Sequence, residues 1–252
     1  MDGLELLVDL HRDARRQGPG GDDETRLALR LAGLADARDV RIADIGCGCG
    51  ASALILASEI DAIVTAVDFL PAFLAELEAA AEHAGLGDRI RPLVGTMEDL
   101  PFQDQQFDAI WSEGAIYSMG FANGVRSWRR FLKPGGILAV SELTWLTNDR
   151  PAELQEHWMR EYPEVGTAAE KLAVLEESGY APVGYFVLPK PCWMDNYYTP
   201  MRSRFRAFLD RNGNTAEALA LVEAEEAEIS LYERYSDYIS YGFYIARRTS
   251  TL

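Results

Sequence analysis

Between residues 40 and 145, short apolar segments alternate with segments of helical periodicity, and this alternation restricts the fold more than any other feature of the chain. The helical segments include ASALILASEI and PAFLAELEAAAEHAG, whose apolar residues recur at helical spacing. The strand-like segments are VRIADIG, AIVTAVD, IRPLVG, FDAIWSE and GILAVSELTW, followed later by APVGYFVLP and SYGFYIARR. The pattern predicts an α/β fold with a doubly wound, mostly parallel sheet of seven strands and helices on both faces.

The remaining segments are arranged around this sheet. Two stretches of helical spacing, GLELLVDLHRDARR and DDETRLALRLAGLA, precede it. About fifty mostly helical residues separate the last two strands, which is too long for a hairpin loop. We therefore expect one domain over residues 1–252 with an N-terminal helical cap (1–36), a core (37–188), a helical insertion or lid (189–238) and a final strand (239–248).

The charge of the chain restricts its partners. Its net charge is −16, whereas a nucleic-acid backbone is held by Lys and Arg, so we expect no nucleic-acid partner. No apolar run approaches the roughly 20 residues that span a bilayer, and the N-terminus lacks the apolar region of a signal peptide. We therefore expect a cytoplasmic, reduced protein without membrane contact that binds a small, uncharged or cationic partner.

The stretch RIADIGCGCGASALILA combines three alternating glycines, two cysteines and an aspartate at the end of the first strand. A metal site is disfavoured, because tetrahedral zinc needs four ligands and the third cysteine, Cys192, stands alone. A dinucleotide is a stronger alternative, since Gly46, Gly48 and Ala51 satisfy the G-x-G-x-x-[GA] pattern between a strand and a helix. Asp68 lies where a carboxylate would accept the ribose hydroxyls.

Asp44 argues against a dinucleotide. It precedes Gly46 by two residues at the carboxyl end of the strand, where a carboxylate would repel a pyrophosphate. The same carboxylate would tolerate or attract an ammonium or a sulfonium group. S-adenosylmethionine carries both groups and no phosphate, so the charge pattern favours this molecule.

Five stretches, in the order of the chain, resemble class I S-adenosylmethionine-dependent methyltransferases, whose fold is Rossmann-like. ADIGCGCG is similar to their D-x-G-x-G-x-G loop, and TAVDF resembles the strand end with the ribose-binding acid. GTMEDLPFQDQQFDAIW resembles their adenine-side turn and fourth strand, and FLKPGGILAVSE their turn into the fifth strand. SEGAIYSMGF resembles a loop of a bacterial small-molecule subgroup of the Methyltransf_11 type. The resemblance covers residues 15–188, and the insertion matches only the narrower subgroup.

The resemblance implies that the core binds S-adenosylmethionine and releases S-adenosylhomocysteine. Asp68 would accept both ribose hydroxyls, Phe69 would cover an adenine face, and Gly46 and Gly48 would bring backbone amides close to the methionine part. Asp44 would help to hold the ammonium group, and Thr96 stands where an aspartate is commoner. The implied cofactor-binding residues are Asp44, Gly46, Cys47, Gly48, Asp68, Phe69, Thr96, Met97, Glu98, Ser112 and Glu113.

Methyl transfer is an in-line displacement that needs a general base only if the acceptor arrives protonated. Candidate catalytic residues are Glu113, just beyond the fourth strand, and Tyr117 and His157. Alternatives for Glu113 are a helix cap or a contact with the amino group of the cofactor. Candidate acceptor-binding residues are Tyr117, Glu142, Trp145, Trp193, Tyr197 and Tyr198; the last three, with Phe205, would form either an aromatic lid or packing of the insertion.

Three functions stay open at this point. The first is methyl transfer to a small-molecule acceptor without a metal, the second a nicotinamide-dependent oxidoreductase, and the third a protein that binds S-adenosylmethionine without transferase activity. The aromatic-rich insertion is a candidate homodimer interface. The chain has no obvious Tyr-x-x-x-Lys pair, which weighs against the oxidoreductase.

Overall fold

The computed structural model describes residues 3–12 and 14–250. The remaining positions of the predicted domain, residues 1, 2, 13, 251 and 252, lie outside the described residues. The described helices are α1 (Gly3–His11), α2 (Asp22–Leu31), α3 (Ala51–Glu59), α4 (Pro71–His83), α5 (Phe121–Trp128), α6 (Ala152–Glu161), α7 (Ala168–Glu177), α8 (Lys190–Trp193), α9 (Thr199–Arg211) and α10 (Ala216–Tyr235). The strands are β1 (Val40–Ile45), β2 (Ala62–Asp68), β3 (Ile90–Val94), β4 (Phe107–Glu113), β5 (Leu132–Trp145), β6 (Gly166–Thr167), β7 (Tyr180–Val187) and β8 (Ile239–Arg248).

The strands form one sheet in the order β3-β2-β1-β4-β5-β8-β7. Pairing is parallel from β3 to β5, whereas β8 runs antiparallel to both β5 and β7. The predicted fold class is therefore confirmed. The two-residue strand β6, which has no signal in the sequence, adds a short parallel pairing at the end of β5.

The central strands are apolar along their length because both faces of the sheet are covered. Five of the six residues of β1 are buried, and so are all ten residues of β5 from Gly136 to Trp145. Such burial on both faces is typical of parallel sheets flanked by helices. In α7 a capping box between Thr167 and Glu170 satisfies backbone donors of the first turn.

The carboxyl ends of β1, β2 and β4 meet at one edge of the sheet, where doubly wound folds bind their ligands. Helix α1 lies at this edge and packs against α9 and α10, which belong to the segment between β7 and β8. The buried Asp9 of α1 accepts hydrogen bonds from Arg211 and Asn212 of that segment. Within residues 3–12 and 14–250, no helix is both long and apolar enough to cross a membrane.

Candidate active site

A cavity of about 380 Å³ opens at the carboxyl edge of the sheet. Its volume lies within the range of small-molecule sites. The sheet contributes the loop after β1, the end of β2, the segment 95–98 after β3, the last residue of β4, and residues of the segment 114–118 after β4. Helix α1 and the segment that follows it cover the cavity from the other side with Leu7, Val8, His11, Arg16, Gln17, Gly18 and Pro19.

The glycine loop after β1 is shaped by close packing at Gly46. This residue has φ +73, and a Cβ placed on it would lie 2.3 Å from the Cβ of Ala115. Only glycine tolerates both the backbone conformation and the neighbour. The loop amides, however, are bonded within the protein: those of Gly46 and Cys47 donate to the Val67 carbonyl, and that of Gly48 donates to Asp68. Gly46 and Gly48 line the cavity, as expected of glycines close to a ligand, but their amides are not free donors, so these glycines mainly supply space.

Asp44 lies beneath the loop and does not line the cavity. Its Oδ2 accepts a 2.6 Å hydrogen bond from Ser52, while its Oδ1 is buried and has no partner. Burial raises the pKa of Asp44 to about 7, against the lowering effect of the Ser52 hydrogen bond. Asp44 was expected to hold an ammonium group directly or through water; this geometry offers no direct contact and places a buried carboxyl group under the glycine loop.

Asp68 ends β2 and lines the cavity, with only 8% of its surface exposed. Its Oδ2 accepts from the amide of Gly48 and its Oδ1 from the amide of Leu70, both at 2.9 Å. Burial raises the pKa of Asp68, although these backbone hydrogen bonds favour the charged form. The next residue, Phe69, is 51% exposed at the cavity, so it is not a core residue. Thr96, Met97 and Glu98 line the same end, as the sequence predicts.

Glu113 lies at the other end of the cavity and is held by three donors. Arg16 donates to its Oε2 at 2.8 Å, and Thr25 and Trp111 donate to its Oε1 at 2.7 and 2.8 Å. The side chains of Arg16 and Glu113 are each 8% exposed. Since both oxygens already accept hydrogen bonds and one faces a guanidinium, this geometry contradicts a role for Glu113 as a free general base. Glu113 is instead suited to binding a cation or a hydrogen-bond donor.

Several predicted site residues do not line the cavity. Ser112 is fully buried and donates to the Ile45 carbonyl, because consecutive residues of a strand point to opposite faces of the sheet. His157 lies on α6 against Trp158, outside the cavity. Trp145 is 4% exposed and packs under the guanidinium of Arg150. The expectation that Ser112, His157 and Trp145 contact a ligand directly is therefore corrected.

The aromatic residues of the insertion pack mainly on one another and on the sheet. Trp193 stacks on Tyr232 with ring centroids 4.5 Å apart and donates to Ser240. Tyr198 is fully buried and donates to Glu228. The predicted lid contacts of Trp193 and Tyr198 are thus replaced by core packing. Tyr197 is partly exposed, and its hydroxyl lies 3.5 Å from His11, a residue that lines the cavity.

Tyr117 lines the cavity as predicted and is 46% exposed, with its ring against Tyr162. Glu142, by contrast, is 1% exposed and is absent from the cavity wall. Its Oε1 accepts from the amide of Leu143, and burial raises its pKa to about 7, with Lys171 acting in the opposite direction. Glu142 is therefore a buried group and not a direct contact of a ligand in this cavity.

The cap contributes cavity residues that the sequence did not single out. Gln17 donates to the sulfur of Cys49 and accepts from its amide, which fastens the cap to the glycine loop. Arg16 fastens it to Glu113, and His11 faces the cavity from α1. His11 follows Leu7 by four residues, so both lie on the same face of α1, but no local signal shows which strand end that face covers.

Cys47 lines the cavity, and Cys47, Cys49 and Cys192 are all free and buried. Burial raises the pKa of the Cys47 thiol, so it is a small apolar neighbour and not a reactive thiolate. Among residues 3–12 and 14–250, no group of three or more His, Cys, Asp or Glu residues is placed to hold a metal ion.

The chemistry of the cavity fits a ligand with a ribose and a positive group. One end offers the Asp68 carboxylate and the exposed Phe69 ring, and the other offers Glu113. The guanidinium that lines the cavity, that of Arg16, is already paired with Glu113 and Asp22, so it is committed to carboxylates and not to a pyrophosphate.

Comparison with known proteins agrees with this geometry. Residues 42–136 match a protein family described as a methyltransferase domain. The chain is 28% identical over 232 residues to the 27-O-demethylrifamycin SV methyltransferase of Amycolatopsis mediterranei, covering 87% of this chain and 80% of that protein. It spans between 21% and 58% of the length of seven other curated relatives.

Solved structures share the whole fold. A methyltransferase of Geobacter sulfurreducens, solved with S-adenosylhomocysteine, superposes with a TM-score of 0.84 at 20% identity and covers 96% of this chain and 97% of its own. The cyclase SpnF superposes with a TM-score of 0.78 at 23% identity, covering 98% and 93%. The predicted fold is confirmed, the family match covers residues 42–136, and nothing in these comparisons supports a nicotinamide-dependent oxidoreductase.

Proposed function

We propose that the chain is a class I S-adenosylmethionine-dependent methyltransferase, which transfers a methyl group from S-adenosylmethionine to a small-molecule acceptor by in-line displacement. The methyltransferase-domain match over residues 42–136 and the similarity to a curated methyltransferase over 87% of the chain support this proposal. The cofactor supplies the electrophilic methyl group, and the protein supplies alignment and exclusion of water. The chain's own contribution is a cavity in which the two substrates meet.

The observation that carries this proposal is the space left by the backbone of the glycine loop at Gly46, here called the cradle, together with the carboxylate of Asp68. The glycine loop leaves room for a ligand where a Cβ would collide with Ala115, and Asp68 lines the space beside it. Asp68 and the exposed Phe69 would hold the ribose and adenine, with segment 95–98 at the adenine edge. Glu113, held by Arg16 and Thr25, would accept from the ammonium group of the methionine part.

An oxygen acceptor is supported by the relative that aligns with 87% of the chain, since its name describes methyl transfer to an oxygen. Cap residues and Tyr117 line the same cavity, and Tyr197 of segment 190–198 contacts the cap residue His11; this is where we place the acceptor. A cytoplasmic location and a homodimer remain parts of the proposal. The three free thiols support a reducing compartment, whereas burial of Trp193 and Tyr198 within the protomer removes them from any dimer interface.

Isothermal titration calorimetry with S-adenosylhomocysteine and with NADH tests the cofactor. We expect S-adenosylhomocysteine to bind and NADH not to bind; the reverse result would overturn the proposal. Asp68→Asn should weaken S-adenosylhomocysteine binding by about 1–3 kcal/mol, because ribose donors lose a charged acceptor. The matched control is Asp108→Asn at the opposite end of β4, where the carboxylate pairs with Lys133, and it should leave the affinity unchanged.

Transfer itself is tested by release of S-adenosylhomocysteine from S-adenosylmethionine in the presence of a panel of alcohols, phenols and amines. Turnover with any of them establishes the transferase. Tight cofactor binding without turnover across the panel would instead favour a protein that binds S-adenosylmethionine and does another task.

A further inference from the structure

We propose that His11 accepts the proton of a hydroxyl acceptor during methyl transfer, with the Tyr197 hydroxyl as its partner before the acceptor binds. This inference rests on the proposed function and assigns its acceptor side. It implies an alcohol or a phenol as the substrate class, since such a group must lose a proton when its oxygen is methylated.

The position of His11 carries the first part of the argument. His11 ends α1, is 6% exposed and lines the cavity. Tyr117 and the glycine loop line the same cavity, so the imidazole shares this cavity with the loop beside which we place the methionine part of the cofactor. Tyr197, which lies 186 residues further along the chain, reaches this imidazole from the segment before α9.

Hydrogen bonding selects the tautomer of His11. Its Nδ1 lies 3.0 Å from the carbonyl oxygen of Leu7, which can only accept, so Nδ1 carries the proton. In a neutral imidazole Nε2 then carries the lone pair. This nitrogen lies 3.5 Å from the Tyr197 hydroxyl, which is longer than a strong hydrogen bond. An acceptor hydroxyl can therefore replace the tyrosine as the donor to Nε2.

The surroundings keep the imidazole neutral. Burial lowers the pKa of His11, and the nearby guanidinium of Arg204 lowers it further, against the raising effect of the Leu7 carbonyl. On α1 itself, Asp9 is paired with Arg211 and Arg12.

The carboxylates of α10 act on Tyr197. Burial, together with Glu225 and Glu228, raises the pKa of Tyr197, so its hydroxyl keeps its proton and can donate it in a hydrogen bond. The pair at rest is thus a neutral imidazole acceptor and a neutral tyrosine donor.

Other titratable groups of the cavity are less suited to take a proton. Both oxygens of Glu113 already accept hydrogen bonds, and both oxygens of Asp68 accept from backbone amides. The Cys47 thiol is held protonated by burial. Glu98 lies with Thr96 at the adenine end. His157 lies outside the cavity.

The proton balance of the step is simple. The acceptor oxygen forms a bond to the methyl carbon while the bond from carbon to sulfur breaks and its electron pair stays on sulfur. The proton of the acceptor hydroxyl moves to Nε2 of His11, which becomes an imidazolium and later releases the proton to water. The products are a methyl ether and S-adenosylhomocysteine.

Nuclear magnetic resonance of the full chain with ¹⁵N-labelled histidine tests the resting state. The chain has three histidines, so the signals of His11 are assigned by their loss in His11→Asn. Asparagine keeps a donor for the Leu7 carbonyl and so preserves the end of α1. We expect His11 at pH 7 to be neutral with the proton on Nδ1, and to titrate below the usual value of about 6.5. A proton on Nε2, or a charged imidazole at pH 7, would overturn the proposal whether or not an acceptor is known.

Kinetics test the step with the alcohols and phenols of the acceptor panel. With any that react, His11→Asn should lower turnover by about 10²- to 10⁴-fold and abolish the acidic limb of the pH profile. Tyr197→Phe should keep most of the turnover, because the acceptor replaces its hydroxyl. The control is His157→Asn, outside the cavity, which should react like the unmodified protein. Unchanged turnover and an unchanged acidic limb in His11→Asn would contradict the proposal.

Calorimetry separates this failure from failure of the proposed function. If the unmodified protein binds S-adenosylhomocysteine and His11→Asn binds it equally, a loss of turnover belongs to the acceptor side. If the unmodified protein does not bind S-adenosylhomocysteine, the proposed function itself fails.

Discussion

The cofactor side and the acceptor side of the cavity are built in different ways. The cofactor side is the glycine loop 46–50, Asp68, Phe69 and segment 95–98, and it is joined by backbone hydrogen bonds between neighbouring strand ends. The side proposed for the acceptor is lined by residues of α1, the segment 16–19 and residues of the segment 114–118, and Tyr197 contacts it through His11. It is joined by side chains: His11 and Tyr197 lie 186 residues apart in the chain, and Arg16 and Glu113 lie 97 apart.

This difference determines how each side tolerates change. A cradle made of backbone depends on space and on permitted φ values, so single added methyl groups disturb it. A wall made of long-range side-chain contacts depends on each pair being complete, so removal of one partner disturbs it. The ion pair of Arg16 and Glu113 joins the two, since it ties the cap to the end of β4.

Removal of Arg16 should have the largest effect. Arg16→Met leaves the 8% exposed Glu113 carboxylate without its cation and should lower the free energy of unfolding by about 3–5 kcal/mol. Urea unfolding measures this loss. The control is Arg26→Met, whose ion pair with Glu59 is partly exposed at 35% and 38%, and it should lose much less. Equal losses in the two variants would show that the buried pair does not join the cap to the sheet.

Filling the cradle should have the next largest effect. Gly46→Ala adds a Cβ that would lie 2.3 Å from Ala115 in the cavity wall. We expect the affinity for S-adenosylhomocysteine to fall roughly a hundredfold, or about 3 kcal/mol. Gly135→Ala is the matched control, because Gly135 has φ +76 but open space around it. Gly135→Ala introduces the same backbone strain but should keep its affinity for S-adenosylhomocysteine. Equal losses of affinity in Gly46→Ala and Gly135→Ala, measured by calorimetry, would rule out the steric explanation.

The sequence signals for the residues that line the proposed cofactor side are local. The glycines mark positive φ values after β1, and Asp68, Phe69 and segment 96–98 follow strand ends directly. Ser112 was predicted wrongly although it is adjacent to Glu113, because the alternation of strand side chains turns it to the other face of the sheet.

The acceptor side could not be predicted in the same way. Aromatic residues of the insertion, such as Trp193 and Tyr197, are equally compatible with a lid and with a core. Long-range packing decides between these, turning Trp193 towards Tyr232 and Tyr197 towards His11. The sequence shows that α1 has an apolar face but not that its last residue reaches a cavity.

The pH dependence of folding stability tests whether Asp44 is a buried, proton-binding group beneath the cradle. Its pKa is raised to about 7 from an ordinary value of 3.8, so the folded state binds a proton that the unfolded state releases. This contribution stabilises the folded protein at low pH and is lost as the pH rises from about 4 to about 7. Relative to Asp44→Asn, the unmodified protein should gain about 2 kcal/mol of stability between pH 7 and pH 5.

Urea unfolding of both proteins at pH 5, 6 and 7 gives this difference. Asp108→Asn is the control, since its carboxylate is partly exposed and paired with Lys133 at the opposite end of β4. Parallel pH dependences of the unmodified protein and Asp44→Asn would show that Asp44 is not the buried proton-binding group.

Phe69 should give the smallest effect, and it tests whether the cofactor side depends on backbone alone. Its ring is 51% exposed at the cavity, and exposure of a large apolar ring there is expected if a flat base covers it. Phe69→Ala should weaken S-adenosylhomocysteine binding by about 0.5–1.5 kcal/mol, the usual contribution of a ring pair beyond area burial, and should leave the unfolding free energy almost unchanged. Leu219→Ala is the control, because Leu219 is 40% exposed on α10 and does not line the cavity. A loss of affinity as large as that of Gly46→Ala would mean that side chains, and not the cradle, dominate the cofactor side, whereas no loss would place the adenine away from Phe69.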